Sequence, residues 1–310
     1  MRNKTCIVIQ GPTATGKTKL SLQLAKYFNT EIISADSRQC YREMDIGVAK
    51  PAASDLEKIH HYFINSHSIH QDVNAGVFET YALDAVAEIF KQHDVAIMVG
   101  GTGLYIKAFC SGIDAMPEIK DEIRQWIRQE YASGSIGRLK EMLQKHDPLF
   151  CCKGEMQNPQ RMMRALEVVL SSGKSILEWH SGPQKTRSFS IVNIGTELPR
   201  EIIYRNINER VDEMMKQGLL NEATALYPYR HLNALQTVGY AEIFRYLNGK
   251  CALQEAVESI RKHTRHYAKR QLTWFKRDGS VHWFAPTDVQ RIISFIESHL
   301  PESAVPVTPK

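Results

Sequence analysis

Near its start the chain carries a short apolar run, Cys6-Ile7-Val8-Ile9-Gln10, followed by glycines and then by Leu20, Leu24 and Phe28 at helical spacing. Glu31-Ile32-Ile33-Ser34-Ala35 is a second strand candidate. Tyr81, Val86, Ile89 and Phe90 recur near the 3.6-residue period and predict a helix over 80–92. Val95-Ala96-Ile97-Met98-Val99, ended by Gly100-Gly101, reads as a third strand, buried on both sides. Strand, helix, strand, helix, strand in this order predicts an α/β fold, with a parallel sheet covered by helices on both faces. Ligands on such sheets bind at the carboxyl ends of the strands.

The pattern changes after Gly112. From 121 to about 170 the periodicity is helical, with Asn158-Pro159 as an N-cap and first helical residue and Gly173 as a stop. One more strand is expected over 188–196, and the rest to about 275 is mostly helical. The predicted organisation is a core begun over 1–114, a helical insertion over 115–187, the core continued with C-terminal helices over 188–300, and a flexible Pro/Ser/Thr-rich tail over 301–310. No apolar run approaches the ~20 residues needed to span a membrane, and the stretch before Gly11 is too short for a signal-peptide core. The six cysteines include no C-x-x-C pair and read as reduced thiols of a cytoplasmic protein.

Composition adds little until charge is located. Over 310 residues the chain is 43% hydrophobic and 24% charged, which excludes a disordered or collagen-like protein, and the net charge is a mild +5. Yet Arg261–Arg277 holds seven Lys/Arg and no acid, so the rest of the chain is slightly acidic. On a helix Lys262, Arg265, Lys269 and Lys276 share one face, while Ile260, Tyr267 and Trp274 recur every seven residues on another. A basic face over an apolar stripe suits RNA phosphates; the competing reading is a solvated helix face. Arg161 and Arg164 form a smaller basic spot, which would equally suit the phosphate clamp of a kinase lid. His60-His61 point apart, so a structural or RNA-side role is favoured over a metal site. Met162-Met163 and Met214-Met215 are, by themselves, core filling.

Gly11-Pro12-Thr13-Ala14-Thr15-Gly16-Lys17-Thr18 fits G-x-x-x-x-G-K-[ST] between a strand and a helix. Such a loop curls its N–H groups around one anion, the helix N-terminus adds partial positive charge, Lys17 adds a point charge, and Thr18 can ligate Mg²⁺. The motif indicates a diphosphate or triphosphate, not ATP in particular. Ordinary NTPases place a Mg²⁺-holding acid at the end of an apolar strand, but Val95–Val99 ends in Gly100-Gly101-Thr102. The acid at a strand end is Asp36, a candidate metal ligand, general base or simple turn residue.

The loop is followed by Ser34-Ala35-Asp36-Ser37-Arg38-Gln39, Met44-Asp45-Ile46-Gly47-Val48-Ala49-Lys50-Pro51, His60-His61, Gly100-Gly101-Thr102-Gly103-Leu104-Tyr105, Arg161-Met162-Met163-Arg164-Ala165-Leu166-Glu167, Val238-Gly239-Tyr240 and Ala268-Lys269-Arg270-Gln271-Leu272-Thr273-Trp274-Phe275. In order and over about 5–285, these segments resemble the bacterial tRNA dimethylallyltransferases, also called tRNA isopentenyltransferases. The resemblance implies a P-loop NTPase-like core and transfer of a dimethylallyl group from dimethylallyl diphosphate to N6 of the adenine beside the tRNA anticodon. It implies that Gly11–Thr18 hold the leaving diphosphate with Mg²⁺, so that ATP binding is a likeness of motif rather than of use. Asp36 then matches the general base and Thr102 a hydroxyl that holds the target adenine. Ser37, Arg38 and Gln39 match residues touching tRNA at the flipped base. Arg124, Gln160, Arg161, Met162, Met163 and Arg164 fall where the insertion contacts tRNA, and Arg205 falls where an Arg reaches the diphosphate. Lys262, Arg265 and Lys269 join the tRNA side through the basic helix. The chain departs from the pattern at Val48, after His61 and at His93-Asp94, none of which removes a catalytic group.

The expected protein is therefore a Mg²⁺-dependent tRNA prenyltransferase acting on the anticodon stem-loop, monomeric and not membrane-bound. The competing readings are a small-molecule kinase and a non-catalytic tRNA-binding NTPase module.

Overall fold

A computed structural model describes residues 4–114, 116–179, 185–301 and 304–305. Most of the tail expected to be flexible lies outside them. Along the chain run β1 (Thr5–Gln10), α1 (Lys17–Tyr27), β2 (Ile32–Ala35), α2 (Ala53–Lys58), β3 (His61–Tyr62), α3 (Ala75–Gln92), β4 (Val95–Gly100) and α4 (Gly103–Ser111). Four helices follow: α5 (Asp121–His146), α6 (Pro148–Lys153), α7 (Pro159–Ser172) and α8 (Ile176–Trp179). Then come β5 (Ser190–Thr196), α9 (Arg200–Gln217), α10 (Leu219–Leu226), α11 (Tyr240–Leu247), α12 (Leu253–Phe275), β6 (His282–Phe284) and α13 (Val289–Glu297). The chain forms two compact units, Met1–Ser111 with Thr186–Lys310, and Gly112–Lys185, against expected insertion bounds of 115–187.

The six strands form one all-parallel sheet in the order β3-β2-β4-β1-β5-β6. Strand alternation divides its side chains between two cores. Cys6, Val8, Ile33, Ala35, Ala96 and Met98 join a cluster with α3, α4 and α10–α12, whereas Ile7, Ile9, Ile32, Val95 and Ile97 join another with α1 and α13. Both faces are thus dry, which is why these strands read as continuous apolar runs. β3 and β6 escaped the sequence reading because two and three residues carry no periodicity. His61 sits in β3, buried, with its Nδ1 2.7 Å from the Ile59 carbonyl, a structural placement. α3 begins five residues earlier than its apolar pattern, at the Asn74 cap, whose side chain accepts from Gly76 and Val77 N–H.

Within the helical unit, α5 breaks at Ser135 (φ 57°). α7 is capped by Asn158, starts at Pro159 and stops at left-handed Gly173. Its buried face, Met162, Met163, Ala165, Leu166, Val168 and Val169, packs with Ile127, Leu139 and Leu143 of α5. Met162 and Met163, expected among the tRNA contacts, are 0% and 8% exposed: their side chains fill this unit's core.

Under the sheet, Phe78 of α3 stacks on Tyr105 of α4 at 4.5 Å and meets Phe63 edge-on at 4.9 Å. Phe78→Ala should cost ~3–5 kcal/mol through the cavity it leaves. Thermal or urea unfolding of the full chain reads that loss as a lowered midpoint; an unchanged midpoint would contradict the packing described.

Candidate active site

Register brings the site together. Gln10 pairs with Gly100 and with Gly195, and Ala35 pairs with Gly100, so β1, β2, β4 and β5 end abreast. The next residues of each strand, Gly11, Asp36, Gly101-Thr102 and Thr196, share one rim of the sheet. Gly11 has φ 145°, and a Cβ there would stand 2.7 Å from the Thr196 carbonyl oxygen, so only glycine permits this approach. Thr15 is fully buried; its hydroxyl lies 2.7 Å from that of Thr196 and donates to the Pro12 carbonyl at 2.9 Å. Thr15 therefore braces the loop. Thr18, on the first turn of α1, is exposed.

Lys17 Nζ donates to the Pro12 carbonyl at 2.6 Å. Burial, and next the nearby Arg210, lower its pKa to about 7, while Asp36 works in the opposite direction. Asp36 caps its own turn: its Oδ1 accepts from Arg38 N–H at 2.8 Å and Gln39 N–H at 3.3 Å. Burial pushes the Asp36 carboxyl above its ordinary range, opposed by those two N–H groups, Lys17 and Arg38. Thr102 Oγ1 accepts from Ser37 N–H at 3.1 Å, and Thr102 N–H donates to the Ala35 carbonyl at 3.2 Å, tying the ends of β2 and β4. Ser37, Arg38, Gln39 and Thr102 thus lie together with Asp36.

Three contributors were not found in the sequence. Arg210 Nη1 donates to Thr13 Oγ1 at 3.0 Å, and its guanidinium is drawn down by burial and up by Asp36. Asn206, one turn earlier on α9, donates to the Ala14 carbonyl at 3.0 Å. Gln271, 6% exposed on α12, accepts from Thr13 N–H at 2.8 Å and donates to the Gly101 carbonyl at 2.8 Å, joining the phosphate loop to the end of β4. Arg205, expected to reach the diphosphate, makes no contact with the loop here: it is exposed and lies 3.9 Å from Glu209. Five residues on a helix turn the side chain by about 140°, so Arg205 and Arg210 leave α9 in different directions. Asn206 and Arg210, at i and i+4, were the signal.

Behind the rim a carboxylate fixes a loop. Glu222 accepts from the N–H groups of Asp45, Ile46 and Gly47 at 3.0, 2.8 and 2.9 Å and from the Tyr240 hydroxyl at 2.5 Å. The loop in turn accepts from Gln39 Nε2 through the Val48 and Ala49 carbonyls at 3.3 and 3.0 Å. A cavity of about 670 Å³ opens beside Arg210, with Ile46, Leu56 and Met214 as apolar wall and Arg42 and Lys50 as charged wall.

The basic helix differs from its sequence reading. α12 buries Ala256, Val257, Ile260, Ala268, Gln271 and Phe275, leaving Tyr267 36% and Trp274 39% exposed. A strict seven-residue stripe drifts about 20° per heptad around a straight helix, and the buried face follows the 3.6 period instead. Lys276 is drawn aside to Glu197 at 2.7 Å, Arg261 pairs with Asp212 and Glu258, and Arg265 folds over the Tyr204 ring at 5.6 Å. Lys262, Lys269 and Arg270 stay exposed without an ion pair among the described residues. In the helical unit Gln160 and Arg161 are exposed, Arg124 lies 3.5 Å from Asp121, and Arg164 pairs with Glu167 at 3.0 Å.

Among the described residues no cluster of three His, Cys, Asp or Glu could hold a metal by itself. The donors fit Mg²⁺ arriving with phosphate, which takes one or two protein oxygens and completes its shell with phosphate and water; exposed Thr18 is the hydroxyl available. No helix among the described residues is long and apolar enough to cross a membrane.

An anion cradle lined by half-buried cations, with a carboxylate at the end of a strand one removed in the sheet, defines an enzyme of the phosphate-loop α/β class. The IPP transferase family model matches residues 39–278. The chain is 42% identical over 300 residues to the tRNA dimethylallyltransferase of Cytophaga hutchinsonii, covering 97% of this chain and 99% of the relative. It is 44% identical over 307 residues to that of Flavobacterium johnsoniae, covering 97% and 99%. Among solved structures it resembles the tRNA isopentenylpyrophosphate transferase of Bacillus halodurans, with TM-score 0.71, 33% identity and coverage of 95% and 96%. It also resembles a eukaryotic dimethylallyltransferase described as acting on tRNA, with TM-score 0.78, 26% identity and coverage of 96% and 80%. The chain belongs to the IPP transferase family, whose members are tRNA-modifying prenyltransferases.

Lys17 gives the site a measurable proton balance. A bound diphosphate favours the charged amine, so binding near pH 8 takes up a proton at Lys17, and affinity falls as pH rises above about 7. Calorimetry in buffers of different ionisation heat should show up to one more proton taken up by the wild type than by Lys17→Arg, which is always charged. Equal uptake by both would contradict it.

Proposed function

We propose that the chain transfers a dimethylallyl group from dimethylallyl diphosphate to N6 of the adenine beside the anticodon of tRNA, releasing diphosphate. The observation that carries this reading is the placement of one carboxylate, Asp36, beside an anion cradle at abreast strand ends, in a chain of this family. The reaction forms a bond from N6 to C1 of the allyl group and breaks the bond from C1 to the diphosphate oxygen. Negative charge grows on the leaving group, where the loop N–H groups, Lys17 and Arg210 stabilise it. Mg²⁺, held through Thr18, would supply further neutralisation of that charge.

N6 loses a proton as it alkylates. Asp36 is held by two N–H groups through Oδ1, which leaves Oδ2 to accept that proton. Its raised pKa makes it a better base than an exposed carboxylate. Adenine reaches such a pocket by being flipped from its stack, at a cost of a few kcal/mol. Thr102 and the Asp36–Gln39 turn form the floor that receives it. Lys262, Lys269 and Arg270, with Arg161 and Gln160 of the helical unit, face the RNA. The kinase reading is not favoured by relatives that are tRNA prenyltransferases.

Incubation of tRNA with dimethylallyl diphosphate and Mg²⁺ should add one prenyl mass to adenosine, read by mass spectrometry of the digested nucleosides. Asp36→Asn should bind tRNA normally yet lose ~10²–10⁴-fold in transfer rate. No mass gain with the wild type would reject the function, and an unimpaired Asp36→Asn would reject the base.

A further inference from the structure

Seven large hydrophobic side chains are exposed among the described residues, and three of them, Leu104, Tyr267 and Trp274, border one place. Leu104 follows Thr102 by two residues at the start of α4. Trp274 lies against the intervening Gly103, where a Cβ would stand 2.2 Å from the indole Nε1, so this glycine lets the ring settle on the backbone next to the site. Tyr267 is 36% exposed, with its phenol near Thr102; burial, and next the Asp36 charge, push that phenol up to about 12. Tyr267 and Trp274 lie on one side of α12, about 10 Å apart along its axis, the span of two or three stacked bases.

Nothing in the fold requires this exposure. α12 has an apolar face, and it is buried elsewhere, through Ala268, Gln271 and Phe275. The exposed rings are bordered by cations instead: the Arg270 guanidinium lies over the Tyr267 ring at 5.8 Å, and Lys269 is exposed beside it. Flat apolar rings among unpaired cations suit unstacked bases with their phosphates, and suit poorly a protein partner or a lipid surface.

We propose that the Trp274 indole is a stacking platform for an unpaired base adjoining the flipped adenine, with Tyr267 and Leu104 forming the rim between that base and the site. The inference rests on the tRNA reading above. Flipping one base out leaves its neighbour with a bare face, and an aromatic ring at the mouth of the pocket covers that face and holds the loop open. The role is in binding and positioning of RNA, without contact to the reacting atoms.

The test is an equilibrium-binding cycle. Wild type, Trp274→Ala and Trp274→Phe are titrated with a fluorescent anticodon stem-loop and with the same RNA carrying a single abasic site at each loop position flanking the target. Trp274→Ala should weaken binding about tenfold to a hundredfold, whereas Trp274→Phe should keep most of the affinity. KM for dimethylallyl diphosphate should stay within about twofold of wild type. At one flanking position the abasic RNA should weaken the wild type by a similar factor and cost Trp274→Ala nothing more. Unchanged binding by Trp274→Ala, or losses that multiply at every loop position, would overturn the platform. If the wild type bound the RNA but transferred no prenyl group, the proposed activity would fail while the cycle still decided the platform. Thermal unfolding of both variants confirms that the fold is retained.

Discussion

Everything at this site depends on one electrostatic arrangement: Lys17, Asp36 and Arg210, each half-buried, act on one another's charge. Burial works against the charge of each, and each is supported by an opposite charge among the other two. Two cations face one carboxylate, so the cluster by itself is short of negative charge. A bound diphosphate would supply it; Lys17 donates to the Pro12 carbonyl, and burial, then Arg210, lower its pKa. The same shortage would favour a leaving group whose negative charge increases during reaction, and in the proposed reaction the half-buried Asp36 carboxylate is the proton acceptor.

Holding such groups together requires a rigid surround, and the fold supplies it around the carboxyl ends of the strands. Thr15 and Thr196 bond beneath the loop. Gln271 reaches from α12 to join Thr13 with Gly101. From α10 Glu222 gathers three N–H groups and a tyrosine hydroxyl, fixing the loop on which Gln39 is anchored. These contacts are long in sequence and short in space, as expected where strands from separate parts of the chain end side by side.

That distance explains what could be read beforehand. The phosphate loop, the three inner strands of the first half, the Asn158–Gly173 helix and the position of Asp36 at a strand end are local patterns, and the observed elements follow them. Arg210 and Gln271 are 193 and 254 residues beyond Lys17; the i, i+4 spacing of Asn206 and Arg210 puts them on one face, but nothing local ties that face or Gln271 to the loop. On α9 the resemblance pointed to Arg205, which is exposed, while the side chain that reaches the loop is Arg210, because helical phase depends on which face the sheet covers. On α12 the seven-residue spacing of Tyr267 and Trp274 resembled a buried stripe, while true burial followed the 3.6 period and left both rings at the surface. The net charge of the basic segment was legible; that Arg261 and Lys276 spend theirs on Asp212, Glu258 and Glu197 was not.

The central claim is that Asp36 takes the proton from the nucleophile while the cradle holds the departing diphosphate. Its most direct test is the pH dependence of single-turnover prenyl transfer to tRNA with donor saturating. Because burial raises the Asp36 pKa, the wild-type rate should fall as pH drops through a value above the ordinary carboxylate range. In Asp36→Asn the residual rate should lose this limb. The same limb in both proteins would contradict the account.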